Sequence, residues 1–175
     1  MKAWLLALVA IGAAANAQGV QESDMAAEAA LMRDAWKQSD QPSATLTVPL
    51  YDRQLRFSLP RGYVPVYSAR APGQFLTEYV PDGETVTKWT TMITVRAIAR
   101  LGAAPMTTAE IAERIYRPTC TGGPRFVDEG EAALGPALSA RKVAFGCSDT
   151  AGAAYQGAPA GVAEHGAAYV ARDQN

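Results

Sequence analysis

Histidine and cysteine are scarce in this sequence, and their scarcity excludes several kinds of chemistry. The 175 residues include one histidine, His165, and two cysteines, Cys120 and Cys147. A zinc site needs about four ligands, drawn mainly from Cys and His, and a Ser–His or Cys–His pair would have to use His165 as its base. The segment around Ser148 does not match the Gly-x-Ser-x-Gly turn of hydrolases. The sequence therefore predicts no metal site, no catalytic residue and no cofactor, and we interpret His165 as a turn or strand-start residue.

A surplus of positive charge is also missing. The chain has 16 Lys and Arg against 17 Asp and Glu, a formal net charge of −1 at pH 7. Without a basic run, nothing in the sequence offers the electrostatic footprint of a nucleic-acid or anionic-lipid binder. The acidic clusters 82–84 and 128–131 do not have the spacing of a calcium loop, and Thr121-Gly-Gly-Pro lacks the lysine of a phosphate loop. We therefore expect no nucleic-acid partner.

Long apolar runs are absent except at the N-terminus. Lys2 precedes the apolar run 4–11, and Ala15-Asn-Ala17 supplies small residues at the positions that a leader peptidase reads. This pattern is typical of an export signal, and the alternative is an N-terminal anchor. The run is shorter than the roughly 20 residues that span a bilayer. We expect cleavage after Ala17, a soluble periplasmic protein of 158 residues (175 − 17) and no stable membrane insertion afterwards.

The two cysteines lie in the part of the chain that would be exported. An even number of cysteines in an oxidising compartment favours a disulfide. We therefore predict that Cys120 pairs with Cys147, closing a loop of 26 residues; a metal pair and a reactive thiol are the alternatives. The chain-entropy argument gives about 3–4 kcal/mol of stabilisation for such a loop.

The sequence predicts two helices. In the first, 23–38, four apolar residues share one face: Met25, Ala29, Met32 and Trp36. This face either packs on the body of the domain or binds a partner. The second begins at Thr107, where Thr107 and Glu110 form a capping box, and Pro118 ends it.

Several segments alternate between apolar and polar residues or are rich in β-branched residues, as strands are. They are 45–48, 55–59, 63–69, 75–80, 90–98, 125–131, 137–146 and 164–171, with the Gly/Ala/Pro-rich segment 152–161 as a loop. Helix, strands, helix, strands in this order predicts an α+β fold with a mainly antiparallel sheet and one or two packed helices. We divide the chain into a signal peptide, 1–17, an N-terminal helical segment, 18–42, and a single α+β domain, 43–175. The final residues 172–175 either end that domain or lead into a further strand of a longer chain.

Three motifs carry a family resemblance: FSLPRGY at 57–63, EYVPDGETVTKWTTMITV at 78–95 and EHGAAYVARDQN at the end. They resemble small exported proteobacterial proteins of unknown function that share Leu-Pro-x-Gly-Tyr followed by Val-Pro-x-Gly-Glu-x-x-x-x-Trp-x-x-Met-Ile-Thr. The layout is similar, more weakly, to the PsbP-type α/β/α sandwich, whose members act mainly as binding or assembly modules. The resemblance implies no catalytic residue.

The second motif is either a scaffold or an exposed recognition surface. Gly83 suits the positive φ of a turn, Glu84 can hydrogen-bond back across the loop, and Trp89 is large enough to anchor the loop on the sheet. As a binding surface we nominate this loop and three neighbouring tyrosines, because aromatic residues are frequent interface anchors. The candidate binding residues are Glu84, Trp89, Tyr63, Tyr67 and Tyr79.

From these patterns we expect a periplasmic binding or accessory module without enzymatic activity, whose partner is an envelope protein or a small ligand. The alternative is an exported hydrolase or hydrolase inhibitor that acts on envelope polymers, and a third possibility is a structural envelope protein. A cleft holding carboxylates with shifted pKa values would favour the enzyme, whereas a flat aromatic patch would favour the binding module.

Overall fold

The computed structural model describes residues 2–7, 18–19, 22–51, 53–99, 101, 105–133, 139–150 and 162–171. These residues form a sheet-rich α+β fold. The helices are α1 (Glu22–Lys37) and α2 (Thr108–Tyr116), and a short 3₁₀ helix (Arg117–Thr119) follows α2. The strands are β1 (Lys2–Ala7), β2 (Gln18–Gly19), β3 (Ser43–Leu50), β4 (Arg53–Pro60), β5 (Tyr63–Ala71), β6 (Gln74–Pro81), β7 (Met92–Ile98), β8 (Arg125–Ala133), β9 (Ser139–Cys147) and β10 (Glu164–Ala171).

The main sheet has the strand order β2-β5-β6-β7-β1-β10-β9-β8, and β3 and β4 form a separate hairpin. Antiparallel pairs run from β2 to β7 on one side and from β10 to β8 on the other. Between them, β1 pairs in parallel with both β7 and β10. This central strand lies within the predicted signal peptide, and we did not predict it as a strand.

One face of the sheet, which we call the α1 face, is covered by α1 and by the β3–β4 hairpin. Its buried apolar cluster draws on the helix, on the hairpin and on strands β6 and β7. The members are Trp36, Val48, Leu59, Phe75, Tyr79, Ile93, Val95 and Ala97. Trp36 belongs to the apolar stripe predicted for α1, so that stripe packs on the body of the domain.

The opposite face, the α2 face, is covered by α2 over β9 and β10. The buried cluster there combines Ile111 and Ala112 of α2 with residues of these two strands, and the rings of Tyr116 and Phe145 stack 4.0 Å apart. The predicted capping box is confirmed, since the Glu110 amide donates to the Thr107 hydroxyl and the Thr107 amide donates to the Glu110 carboxylate. The helix start is therefore fixed by local sequence.

The predicted disulfide is confirmed. Cys120 and Cys147 are bonded, with an S–S distance of 2.03 Å and a Cα–Cα distance of 5.6 Å. The bond joins the end of the 3₁₀ helix to the end of β9, so it ties the helical layer to the sheet.

The eight predicted strands correspond to β3–β10, and most bounds differ by one or two residues. Four expectations fall wholly or partly outside the described residues: residues 8–17 of the predicted leader, the loop 152–161, the first two residues of the strand predicted at 137–146, and the chain end 172–175. The fold class is thus confirmed as α+β with a mostly antiparallel sheet.

Candidate functional site

A cavity of about 310 Å³ lies on the α1 face of the sheet, beneath α1 and beside β3. Small-molecule sites in proteins are concave and combine apolar walls with a few polar groups, and both apolar and polar side chains line this cavity. Its lining comprises Met25, Glu28, Met32, Leu46, Thr47, Val48, Pro49, Pro65, Ser68, Arg70, Phe75, Thr77 and Tyr79.

The register between β5 and β6 determines which side chains form the floor of the cavity. Ser68 of β5 pairs with Thr77 of β6, and Arg70 pairs with Phe75. Side chains directly opposite each other in an antiparallel pair project from the same face of the sheet. The floor therefore combines the hydroxyls of two buried residues with the ring of a third, and the guanidinium of Arg70 lies at its margin.

The roof is held in place by contacts between α1 and the sheet. The indole nitrogen of Trp36 donates to the carbonyl oxygen of Tyr63 at 2.9 Å. One turn earlier, Nε of Arg33 donates to Oδ1 of Asp82 at 2.6 Å. The first contact joins the helix to β5 and the second joins it to the turn that follows β6, so Met25 and Met32 on the same helix are positioned over the floor. Methionine side chains adapt to the shape of what they contact.

Two hydroxyl groups on the floor hydrogen-bond within the protein. Thr77 Oγ1 donates to the carbonyl oxygen of Tyr67 at 3.2 Å. Burial raises the pKa of the Tyr79 hydroxyl, a hydrogen bond with Thr77 lowers that pKa in part, and the carboxylate of Glu28 raises it further. Glu28 belongs to α1 and also lines the cavity.

The hydroxyl of Ser68 differs from its neighbours. Ser68 is 6% exposed, and within the described part of the chain its side chain makes no hydrogen bond. A hydroxyl that lines a cavity and bonds no other residue of the described chain is a group that a ligand can hydrogen-bond.

Opposite charges stand at the mouth of the cavity. The guanidinium carbon of Arg70 lies 4.8 Å from the centroid of the Phe75 ring, and Arg70 is exposed to solvent. Glu28 is exposed on the opposing helix. Among the described residues neither side chain has an ion-pair partner, so both charges are available to a bound molecule.

A second group of ionisable residues lies on the α2 face, away from the cavity. Glu78 is 9% exposed, and burial raises its pKa to about 7, an effect that the charge of Arg96 opposes. Burial also raises the pKa of Tyr116, which lies within electrostatic range of Arg96, Glu78 and Glu164. Carboxylates with such pKa values occur in active sites, and they also occur as structural groups.

The loop 83–89, which we nominated from the sequence, is held in place by its own hydrogen bonds and packing. Gly83 has φ +89°, and the Glu84 carboxylate accepts hydrogen bonds from Thr90. Trp89 is 5% exposed and packs with Val80 and Met92. The packing role expected of Trp89 is confirmed, and its ring lies in the interior.

The structure does not bring the five nominated binding residues together. Tyr79 lies on the cavity floor, whereas Tyr67, 39% exposed, projects from the other face of the sheet. The hydroxyls of Tyr63 and Thr91 are 2.5 Å apart, and Tyr63 packs beside the α1-face cluster. Of the nominated residues, only Tyr79 lines the cavity.

Sequence reasoning missed the polar residues of the cavity, Glu28, Ser68 and Arg70. The helix stripe that contains Met25 and Met32 was visible, and so was the strand alternation. The serine and the two charged residues have no distinctive spacing, because only strand register and helix placement bring them together. No signal in the sequence could have found them.

No protein-family model matches this chain, and no curated protein or solved structure matches it. In the part of the chain that the structure describes, no cluster of three or more His, Cys, Asp or Glu is arranged to hold a metal ion. No helix among those residues is long and apolar enough to cross a membrane.

Proposed function

We propose that this protein is an exported, non-enzymatic binding module whose small-molecule ligand lies in the cavity between α1, β3 and the α1 face of the sheet. The observation that carries the proposal is a cavity lined by apolar and polar side chains, with the hydroxyl of the buried Ser68 on its floor and without a hydrogen bond to another described residue. A disulfide between the exported cysteines supports an oxidising compartment.

Export is part of the proposal. Residues 1–17 have the pattern of a leader, and the periplasm is the expected compartment. The mass of the protein recovered from the periplasm should correspond to a chain that begins at Gln18. A recovered chain that retains residues 2–7 would contradict cleavage after Ala17.

The family proposal rests on motifs in the sequence. The Leu-Pro-x-Gly-Tyr and Val-Pro-x-Gly-Glu motifs support membership of the small exported proteobacterial proteins named above, and a helix on each face of a sheet is compatible with a PsbP-type sandwich. Such modules bind or assemble, which agrees with a ligand cavity. An envelope protein remains a proposed partner of the binding module, and mild cross-linking in the native envelope followed by mass spectrometry tests it.

The alternative, an exported hydrolase or hydrolase inhibitor acting on envelope polymers, draws its support from Glu78 with its pKa of about 7. Glu78 is 9% exposed and does not line the cavity. A polymer substrate would need an accessible carboxylate, so the binding module is the better-supported function. If the wild-type protein hydrolysed envelope polymers and Glu78→Gln did not, the hydrolase would become the better-supported function.

The ligand proposal is tested with the fluorescent probe 1-anilinonaphthalene-8-sulfonate. We expect saturable fluorescence enhancement with the folded protein and loss of that enhancement in Ser68→Leu, which fills the floor of the cavity. Ser58→Leu is the matched control, because Ser58 is an exposed residue of β4. Leu46→Trp narrows the cavity from the hairpin side and serves as a second filling variant if the first does not fold. Equal enhancement in the folded filling variants and the wild-type protein would overturn the proposal.

A further inference from the structure

The mouth of the cavity presents two opposite charges on two different walls. Arg70 projects from β5 in register with Phe75, and Glu28 of α1 lines the same cavity. The two side chains do not form an ion pair with each other, since no contact within 4.0 Å joins them. The cavity thus separates the charges instead of letting them neutralise each other.

This arrangement favours a ligand that carries both charges over an otherwise similar ligand with a single charge. An anion attracted to Arg70 is repelled by Glu28, and a cation attracted to Glu28 is repelled by Arg70. Near a protein surface, two unit charges about 4 Å apart interact by roughly 4 kcal/mol, and solvent screening reduces this value. A molecule that carries both charges gains from both walls.

The side chains inside the cavity determine which uncharged part of a ligand can bind there. Beside the hydroxyls of Thr47, Ser68 and Thr77, part of the lining consists of apolar side chains from the helix, the hairpin and the sheet: Met25, Met32, Leu46, Val48 and Phe75. Burying apolar ligand surface against such walls contributes about 25 cal/mol per Å². The Ser68 hydroxyl adds one hydrogen-bonding group at the floor.

We propose that the cavity binds a zwitterionic amphiphile, with the ligand's anionic group at Arg70, its cationic group at Glu28 and its apolar portion beneath α1. An apolar α-amino acid is the smallest member of this class. This inference rests on the proposed binding function and specifies the ligand chemistry of the same site.

The test compares three probes with the same six-carbon chain and different charge: norleucine, hexanoate and hexylamine. Binding to the wild-type protein is measured by titration in ¹H–¹⁵N correlation spectra, where amides of β5, β6 and α1 report on the cavity. We expect norleucine to bind at least about tenfold more tightly than either singly charged probe, a difference of about 1.4 kcal/mol.

Two variants, each of which removes one charge, test which group of the ligand lies at which wall of the cavity. Arg70→Gln should weaken norleucine and hexanoate while leaving hexylamine unchanged or tighter. Glu28→Gln should weaken norleucine and hexylamine while leaving hexanoate unchanged or tighter. Arg56→Gln is the matched control, because Arg56 is an exposed arginine of β4 outside the cavity lining, and it should change none of the three.

The outcomes separate this inference from the proposed function. Equal binding of the three probes, tighter binding of a singly charged probe, or no norleucine binding at millimolar concentration would overturn the zwitterion assignment. In each of these cases the proposed function stands if 1-anilinonaphthalene-8-sulfonate still binds and the filling variants abolish its binding. If 1-anilinonaphthalene-8-sulfonate did not bind either, the proposed binding function would also be contradicted.

Discussion

The carboxylate of Glu84 accepts two hydrogen bonds from Thr90, one from the backbone amide and one from the side-chain hydroxyl, each at 2.7 Å. These bonds close the loop that connects β6 to β7. Glu84→Ala removes both acceptors and leaves the amide to water, so we expect a loss of about 1–2 kcal/mol in the free energy of unfolding. Urea unfolding measures the loss. Thr90→Val removes only the hydroxyl and should cost less; equal stability of Glu84→Ala and the wild-type protein would mean that the loop does not depend on these bonds.

Trp89 fixes the same loop from the inside. Its side chain is 5% exposed and contacts Val80 and Met92. Truncating a buried aromatic residue removes its contacts and leaves a cavity, so Trp89→Ala should lower stability by about 3–5 kcal/mol and lower the melting temperature clearly. Trp89→Phe, which keeps a ring, is the control and should lose less. An unchanged melting curve for Trp89→Ala would contradict a structural role for the ring.

Glu78 makes stability depend on pH. Its pKa is raised from 4.5 to about 7 in the folded protein by burial, against the opposing charge of Arg96. A folded acid with a raised pKa holds its proton more tightly than the unfolded chain does, so stability falls as pH rises from about 4.5 to about 7. Glu78→Gln cannot ionise and should therefore be more stable than the wild-type protein at about pH 8, by on the order of 2–3 kcal/mol.

The stability difference between Glu78→Gln and the wild-type protein should shrink towards zero near pH 4, where the carboxyl is protonated in both states. Urea unfolding at several pH values measures this difference. Glu131→Gln is the control, because Glu131 is exposed on β8, and its effect should vary little over the same range. A pH-independent difference for Glu78→Gln would contradict the raised pKa.

Gly122 lies against the segment that follows β9. A Cβ atom at this position would be 2.5 Å from the backbone nitrogen of Asp149 and 2.5 Å from Oγ of Ser148. The amides of Thr121 and Gly122 donate to the carbonyl oxygen of Asp149 at 3.0 and 3.3 Å. Gly122→Ala should separate the two segments and weaken these bonds, at a cost of about 1–3 kcal/mol.

Gly146→Ala is the matched control for Gly122→Ala, because a Cβ there would meet its nearest neighbour, the carbonyl oxygen of Glu164, at 3.9 Å, an ordinary contact distance. Thermal unfolding under oxidising conditions compares the two variants while the nearby disulfide stays intact. Equal melting temperatures for both variants would show that the 121–122 segment tolerates the displacement.

Removal of residues 1–17, the proposed leader, should change the centre of the sheet. Thr94 of β7 and Ala168 of β10 both lie opposite Leu6 of β1, two strand spacings or about 9–10 Å apart. Without β1, the backbone groups of β7 and β10 that face it lose their partners. Because these two strands are parallel to each other, direct pairing would restore hydrogen bonds and bring the two residues within disulfide range, below about 7 Å.

A double variant, Thr94→Cys with Ala168→Cys, measures that closure. We expect a disulfide between the new cysteines in the chain that begins at Gln18 and none in the chain that retains residues 1–17; peptide mapping distinguishes it from the native bond. The control pair, Thr94→Cys with Val143→Cys, places the second cysteine opposite Ala168 on the next strand, β9, and should remain reduced. Absence of the Thr94–Ala168 bond from the shorter chain would contradict closure of the sheet.

Local features of this protein follow from the sequence because neighbouring residues determine them. The capping box of Thr107 and Glu110 and the positive φ at Gly83 depend on a few consecutive residues and are confirmed. Strand alternation and the α1 stripe are local as well, so the eight strands and the fold class could be predicted. The disulfide could be predicted too, because the chain has two cysteines and one way to pair them.

Tertiary structure alone decided the features on which the proposals rest. The pairing of β5 with β6 places Ser68 and Arg70 beside Thr77 and Phe75, and α1 brings Glu28 over them from a distant part of the chain. The raised pKa of Glu78 comes from its burial, against the opposing charge of Arg96, and both depend on tertiary packing. A ligand site depends on residues that are close in space and far apart in sequence, and their spacing in one sequence does not record that proximity.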